Sequence, residues 1–529
     1  MVELSPYQAL SNIWKKIPYH TKLTFASALI LGFFVHMFAM ANLIPNHDTV
    51  ILTWDKFHWV IVTGRWFAWF PQWLTGIHNL SWLSSFMAII YLAVAACLMG
   101  ACLKIKKTIN CILLSFLLVS FPSVTMYFTY AGWPDIGFFA VPLACLAAYI
   151  TSKYKYGFCF GWIFVTLTIA IYQAYISIAA GLLIAVLIVD ALRGDSDALS
   201  IFIKGIKSVA VLVVGFIAYT VILNIVLNTM SLQLSPYMGI DNFGGFALYQ
   251  LPERILHAYV SVFNFFYRDS FNLHHDYMRV ISFDIVFIVM ALAVIILITS
   301  IILINKLYKS KALLAVLAFL IIVFPLGVGS ILIISSHFHM LMVYSFVIIL
   351  ISVPALLEIC VEMLTLVNKK HIRQGLNATC GVMLIALTLY CINYTILANK
   401  TYLKLEVANR HSIVYSTILF AQIQNQDFFD PNLTIVISGA AGSRSSIQTL
   451  HGVRGVEGAS PFLGPGMFSY ASYLRNFMGI DQNIRAVGSD SNFLSESDLA
   501  ILENMPVYPL PGSIKYSNGE IFVKFSELR

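Results

Sequence analysis

The sequence predicts a multi-pass α-helical membrane protein of about eleven transmembrane helices, ending in a small C-terminal α/β domain. Two observations carry this. The chain is 59% apolar and only 11% charged, with a mean hydropathy of +0.82. Soluble domains carry roughly 25% charged residues, so most of this surface must face something other than water. The second observation is the placement of charge. Lys and Arg sit in short clusters between apolar runs, as membrane topology requires. The net charge of +7 is therefore not a nucleic-acid footprint.

Apolar runs long enough for a bilayer lie near 23–43, 81–103, 109–129, 135–152, 157–172, 174–192, 208–229, 281–305, 312–334, 341–363 and 376–398. The first is too long for a signal-peptide core and reads as a retained helix. Pro122 should kink or shorten the third, and the fifth is short. With the N-terminus placed inside, the inner loops hold Lys104, Lys106 and Lys107; Lys153 and Lys155; Arg193, Lys204 and Lys207; Lys306, Lys309 and Lys311; and Lys369, Lys370 and Arg373. Every inner loop is basic, which fits the positive-inside rule and places the C-terminus outside.

The outer side then holds the long connections 44–80, 129–134, 231–280 and 335–340, and the tail from 401. The division is a transmembrane domain over 1–400 and an outer domain over 401–529. Residues 246–266 read as one or two helices lying along the interface. In the tail, 433–438, 484–487 and 521–525 read as strands, and 505–525 with Ser517-Asn518-Gly519 as a hairpin. The eight cysteines fall in or beside apolar runs and read as small apolar residues; the tail has none.

The first outer loop is the most unusual stretch. Asn46-His47-Asp48-Thr49 follows the first helix, then come Trp54-Asp55-Lys56 and Gly64-Arg65-Trp66. Five of the nine tryptophans lie between Trp54 and Trp73. An aromatic belt accounts for rings at a membrane surface. It does not account for acids and bases among them, which are costly there unless used or paired. Rings beside a carboxylate and an arginine suit a sugar phosphate, because Arg forks onto phosphate oxygens. Asp48 can act as a general base toward a hydroxyl, or cap a helix starting near Val50; both roles are compatible. His47 reads as its hydrogen-bonding neighbour.

Asp135 either caps the fourth helix or is a second active-site acid. Tyr172-Gln173 lies at an outer turn and either faces a cavity or simply makes the turn. His337 and His339 flank another outer turn, while His274, His275 and Asp276 sit near Arg268 and Asp269. No metal-ligand spacing and no cofactor motif appears. Ser438-Gly439-Ala440-Ala441-Gly442-Ser443-Arg444 lacks the Lys-Ser/Thr ending of a phosphate loop and reads as structural.

An Asp in the first outer loop of a many-helix chain resembles the membrane glycosyltransferases of the GT-C class. Three motif groups resemble, more narrowly, the serotype-converting O-antigen glucosyltransferases often carried by bacteriophages. They are Asn46-His47-Asp48 with Gly64-Arg65-Trp66; Tyr172-Gln173-Ala174-Tyr175; and Met505-Pro506-Val507-Tyr508-Pro509 with Gly512-Ser513-Ile514 and Val523-Lys524. GT-C enzymes often carry two adjacent acids in that loop; here His47 takes one place.

The resemblance implies a GT-C-like fold in the bacterial inner membrane, with the N-terminus cytoplasmic and the C-terminal domain periplasmic. It implies transfer of glucose from undecaprenyl-phosphate glucose to lipid-linked O-antigen on the periplasmic face, with inversion. Asp48, with Asp135 as a second acid, would be catalytic. Arg65, Lys56 and Arg268 would meet the donor phosphate. His47, Trp54, Trp66, Tyr172, Gln173, His337 and His339 would contact substrate. The alternatives are a flippase or transporter of a lipid-linked sugar, another polyprenyl-phosphate-sugar transferase, and a structural or sensing protein. A transporter would show midplane charges and repeated halves; this chain shows few charges inside the helices and no repeat.

Overall fold

The computed structural model describes residues 6–53, 56–236, 245, 247–267, 283–335, 339–365, 367–439, 467–488, 490 and 494–528. In chain order the helices begin with α1 (Pro6–Lys16), α2 (Tyr19–Ala41), α3 (Phe57–Val62), α4 (Trp69–Thr75), α5 (Ser81–Cys102), α6 (Thr108–Ser120) and α7 (Pro122–Phe128). Next come α8 (Pro134–Lys153), α9 (Phe158–Ile169), α10 (Ile176–Arg193), α11 (Ala198–Thr229), α12 (Leu251–Tyr267) and α13 (Phe283–Ile304). The series closes with α14 (Lys311–Val328), α15 (Ser330–Ile334), α16 (Val347–Leu364), α17 (Lys370–Gln424), α18 (Met467–Met478) and α19 (Glu496–Glu503). Each of the eleven apolar runs is helical over most of its length. Among the described residues, nine helices are long and apolar enough to cross a membrane. The pair α6 and α7 makes a tenth if its two halves form one span. That pair bends by 46° at Phe121, where Pro122 starts a new helix because it cannot donate to the old one. The short run expected as the fifth is α9, with only 12 residues.

The surface supports a hydrocarbon environment. On α11 the side chains of Phe202, Ile206, Val209, Val213, Ile217, Val221 and Ile225 are all exposed. A continuous apolar stripe of that kind belongs against lipid rather than water. In contrast, α10 is buried almost all round and forms the centre of the bundle.

The basic turns gather at one end. Lys104 pairs with Asp190 at 3.0 Å and Asp195 at 2.8 Å, and Lys204 pairs with Asp190 at 2.7 Å. Arg193 pairs with Glu362, Glu358 accepts from the Lys107 amide at 3.0 Å, and Asn305 donates to the Leu192 carbonyl at 2.9 Å. Inside the bundle, the His36 ring bonds the Val119 carbonyl at 2.7 Å and the Tyr402 hydroxyl at 2.6 Å. It thereby ties α2 to α6 and α17.

The domain boundary expected at 400 falls inside α17, which runs unbroken for 55 residues. At 1.5 Å per residue it is about 80 Å long, far more than a bilayer core of about 30 Å. Its last turns enter the C-terminal domain. There, a sheet has the order β2-β1-β4-β3, with β1 (Thr434–Ser438), β2 (Ile484–Val487), β3 (Ile514–Ser517) and β4 (Glu520–Lys524). Strands β2, β1 and β4 are parallel; β3 and β4 form a hairpin. The hairpin is narrower than the expected 505–525. Asn518 and Gly519 both have positive φ, as a two-residue turn between right-twisted strands demands. Side chains alternate: Ile435, Ile437, Ile521 and Val523 face α17 and α18, whereas Val436 and Phe522 face Ile501 and Leu502 of α19. The expected interfacial stretch is a short helical turn at 248–250 followed by the single helix α12.

His36→Leu strands the Val119 carbonyl and the Tyr402 hydroxyl in a buried site. The expected loss is about 1–3 kcal/mol of stability. Thermal unfolding in detergent measures it, and an unchanged midpoint would refute the bridge.

Candidate active site

At the end of the bundle opposite the basic turns, three connecting segments meet. The first is the turn at 46–49. Asn46 is fully buried, and its side-chain carbonyl accepts from the amides of Asp48 and Thr49, both at 3.0 Å. The Asn46 amide donates to the Thr49 hydroxyl at 2.8 Å. No helix begins near Val50, so Asp48 is not a helix cap; Asn46 organises the turn instead. That leaves the Asp48 side chain 41% exposed, beside the His47 ring at 3.7 Å. His47 in turn meets Tyr130 edge-on at 5.7 Å.

Next along the loop is Lys56, only 3% exposed. Its ammonium donates to the Gly132 carbonyl at 2.8 Å and lies 4.1 Å from the centre of the Trp133 ring. Burial pulls its pKa down to about 8, against the attraction of the Asp135 and Asp48 carboxylates, which hold it up. Asp135 is 1% exposed, in the first turn of α8. One of its oxygens accepts from Thr75 at 2.6 Å and the other from Ser84. Lys56 and Asp135 are thus both enclosed, and their opposite charges attract. Neither is open to a substrate as the sequence suggested.

Arg65 follows α3 and differs in kind. Its guanidinium lies over the Tyr172 ring at 4.9 Å. Its Nε is buried without a hydrogen-bond partner, and no carboxylate pairs with it among the described residues. The turn in front of it is tightly held. Gln173 donates to the Thr63 carbonyl at 2.7 Å, and the Tyr219 hydroxyl donates to the Gly64 carbonyl at 2.9 Å. The Phe67 amide donates to the Ala170 carbonyl at 2.9 Å. Gln173 therefore faces the turn, and its side chain is spent on aiming Arg65. Tyr219, on α11, carried no signal in the sequence because it sits inside an apolar run. Trp66 and Tyr172 pack partly buried beside the core.

His339 caps the helical turn that begins at Met340, accepting from the Leu341 amide at 3.4 Å. Trp54, Asp55, Arg268, Asp269, His274, His275, Asp276 and His337 lie outside the described residues, as does the glycine-rich stretch at 440–444. Among the described residues no group of three or more His, Cys, Asp or Glu side chains gathers as a metal site would need.

Gly64 has φ +75°, and a Cβ there would stand 2.7 Å from both Gln173 Nε2 and Tyr219 Oη. Gly64→Ala combines left-handed strain with that clash, and the strain alone costs about 1–3 kcal/mol. A lowered unfolding midpoint in detergent is the expected result; an unchanged one would show that the turn is loosely held.

Among known proteins, the family described as Glucosyl transferase GtrII matches residues 37–351. No curated protein and no solved structure matches. The matched span contains the Asp48 turn, α3, Arg65, Asp135 and the Tyr172-Gln173 corner that geometry brings to one end of the bundle. The chain belongs to the GtrII glucosyl transferase family, the serotype-converting O-antigen glucosyltransferases that its motifs resemble.

Proposed function

We propose that this chain moves glucose from undecaprenyl-phosphate glucose to a hydroxyl of lipid-linked O-antigen, on the periplasmic face of the bacterial inner membrane. Eleven crossings, with α6 and α7 as one and α9 as another, give a cytoplasmic N-terminus and a periplasmic C-terminal domain. The gathering of Lys104, Lys204 and Arg193 at the far end of the bundle supports that orientation.

The observation that carries the reading is Arg65: a half-buried guanidinium with no acid paired to it among the described residues, held on an aromatic ring in the same outer region as an exposed carboxylate. Such a group is prepared for an anion that arrives with the substrate. In the reaction, the acceptor oxygen attacks the anomeric carbon of the donor sugar, and the bond to the phosphate oxygen breaks. The acceptor proton passes to the Asp48 carboxylate, and the lipid phosphate departs with its negative charge against Arg65. Direct displacement inverts the anomeric centre. Lys56 and Asp135 act from beneath, as an enclosed pair of opposite charges that supports the Asp48 turn. His47, Trp66, Tyr172 and His339 contact the sugar; the roles expected of Arg268 at the donor phosphate and of Trp54 and His337 at the substrate rest on the sequence alone. The flippase alternative has no comparable support, since the family is one of transferases.

The test is transfer in detergent, with synthetic polyprenyl-phosphate glucose and isolated lipid-linked O-antigen. Wild type transfers glucose. Asp48→Asn loses about 10²–10⁴ of the rate, the usual weight of a general base. Arg65→Ala loses about 10²–10³, as for an oxyanion donor. An inert wild type sinks the assignment, and near-normal turnover by Asp48→Asn sinks the base.

Lys56 predicts the alkaline limb. Its proton leaves near pH 8 in the folded protein but at 10.5 in the unfolded chain. Transfer therefore falls as pH rises through about 8, when Asp135 loses its counter-charge. Stability does not fall for the same reason, because between those values the unfolded chain holds the proton more tightly than the folded one. An activity profile that is flat across that window would remove Lys56 from the site.

A further inference from the structure

We infer that the C-terminal domain is a working part of the active site, because it clamps the turn that carries Asp48. The inference rests on the proposed role of Asp48 and extends it to residues outside the matched span of 37–351. Two residues beyond Asp48, Val50 has 0% of its surface exposed. Its side chain is not in the core of the helical bundle. It sits in the core of the C-terminal domain, with Leu419, Phe420 and Ile423 of α17, Ile435 of β1, and Tyr473 of α18. Ile51 packs against the same cluster.

The backbone is gripped as well. Asn476 of α18 donates to the Val50 carbonyl at 2.7 Å. From the bundle side, Asn79 donates to the Ile51 carbonyl at 2.6 Å and to the Thr49 carbonyl at 3.4 Å. Three successive carbonyls after Asp48 are thus held alternately by the two domains. Asn79 is itself wedged against Gly132, where no Cβ fits because the Asn79 side-chain oxygen would stand 2.2 Å away. A loop site is only as well aimed as the rigid elements that hold it. Here one of those elements is the outer domain, brought to the site by the unbroken α17. Asn476 and Val50 are therefore positioning residues; neither touches the reacting atoms.

Asn476 lies on the exposed side of α18, so its loss leaves the domain core intact. The experiment uses the full chain in detergent and compares wild type with Asn476→Ala, Val50→Ala, and Val50→Ile, which keeps the branched apolar side chain with one methylene more. Arg475→Ala is the exposed control on the same helix. Hydrogen exchange reads the peptide spanning 46–53 and, separately, the strands at 434–438 and 520–524. Asn476→Ala and Val50→Ala should speed exchange at 46–53 while the strands stay protected, and Val50→Ile and Arg475→Ala should not. In the transfer assay the same two variants should lose about 10–100-fold in kcat, the scale of a small misplacement, with KM for the donor lipid unchanged. Unaltered exchange at 46–53 in both variants would overturn the clamp. Faster exchange with full kcat would overturn the positioning role. An inert wild type would sink the glucosyl transfer reading, while the exchange arm would still decide whether the clamp exists.

Discussion

An ammonium group with almost no access to water keeps its proton only if other charges and dipoles replace the water. Lys56 meets that condition at the junction of the outer segments. The Gly132 carbonyl, the face of Trp133 and the carboxylates of Asp135 and Asp48 surround it. Each partner comes from a different place. Gly132 and Trp133 belong to the second outer loop, Asp135 opens α8, and Asp48 sits on the first-loop turn. Asp135 adds α4 and α5 through Thr75 and Ser84. One buried charge thus requires five pieces of chain to be in register. Without it Asp135 would be an unpaired buried anion, the costly case.

The same requirement explains how a loop can act as a rigid site. The segment 44–80 is long, and its two helices α3 and α4 are too short to stand alone. It is fixed by its own Lys56 and Asn79 together with side chains reaching in from outside. Gln173 and Tyr219 hold the Gly64 turn, Lys56 holds the middle, and Asn79 with Asn476 holds the Asp48 turn. The polar side chains that the loop cannot supply come from α11, α18 and the corner before α10. Function on a loop and precision from the scaffold are reconciled in this way.

Much of the architecture was legible in the sequence, for a physical reason. Length and apolarity are local properties, so the helical runs could be read directly. So could the break at Pro122, the strands, and the Asn518-Gly519 turn, which depend on neighbouring residues alone. The candidate site was half legible. Asp48, Lys56, Arg65 and Asp135 stood out as charges at an apolar boundary, and they do cluster at one end. Their individual conditions were not legible, because burial and pairing are set by residues far along the chain. Lys56 read as a phosphate contact until Asp135 and Gly132 closed over it. Asp48 read as a possible helix cap, although no helix starts there and the Asn46 side chain organises the turn. Val50, a plain apolar residue in an outer loop, gave no hint that its partners lie more than 350 positions away. At the division expected at 400 the composition changes, but the hydrogen bonding along α17 does not, so the helix runs through it.

The contrast between the two loop cations completes the physical argument. Lys56 and Arg65 flank the six-residue α3, so they stand only about 9 Å of helix apart. Chain chemistry alone would treat them as equivalent phosphate ligands. Their surroundings separate them. A flexible ammonium that can shed its proton sits in the enclosed position, where its charge is already balanced. A guanidinium sits in the half-buried position, with no carboxylate paired to it among the described residues. Tyrosine faces lower the cost of keeping Arg65 in place without neutralising it, since a ring offers only quadrupole attraction. A fixed positive charge left in that condition gains most from an anion that forms during a reaction and then leaves, the part proposed for the departing lipid phosphate.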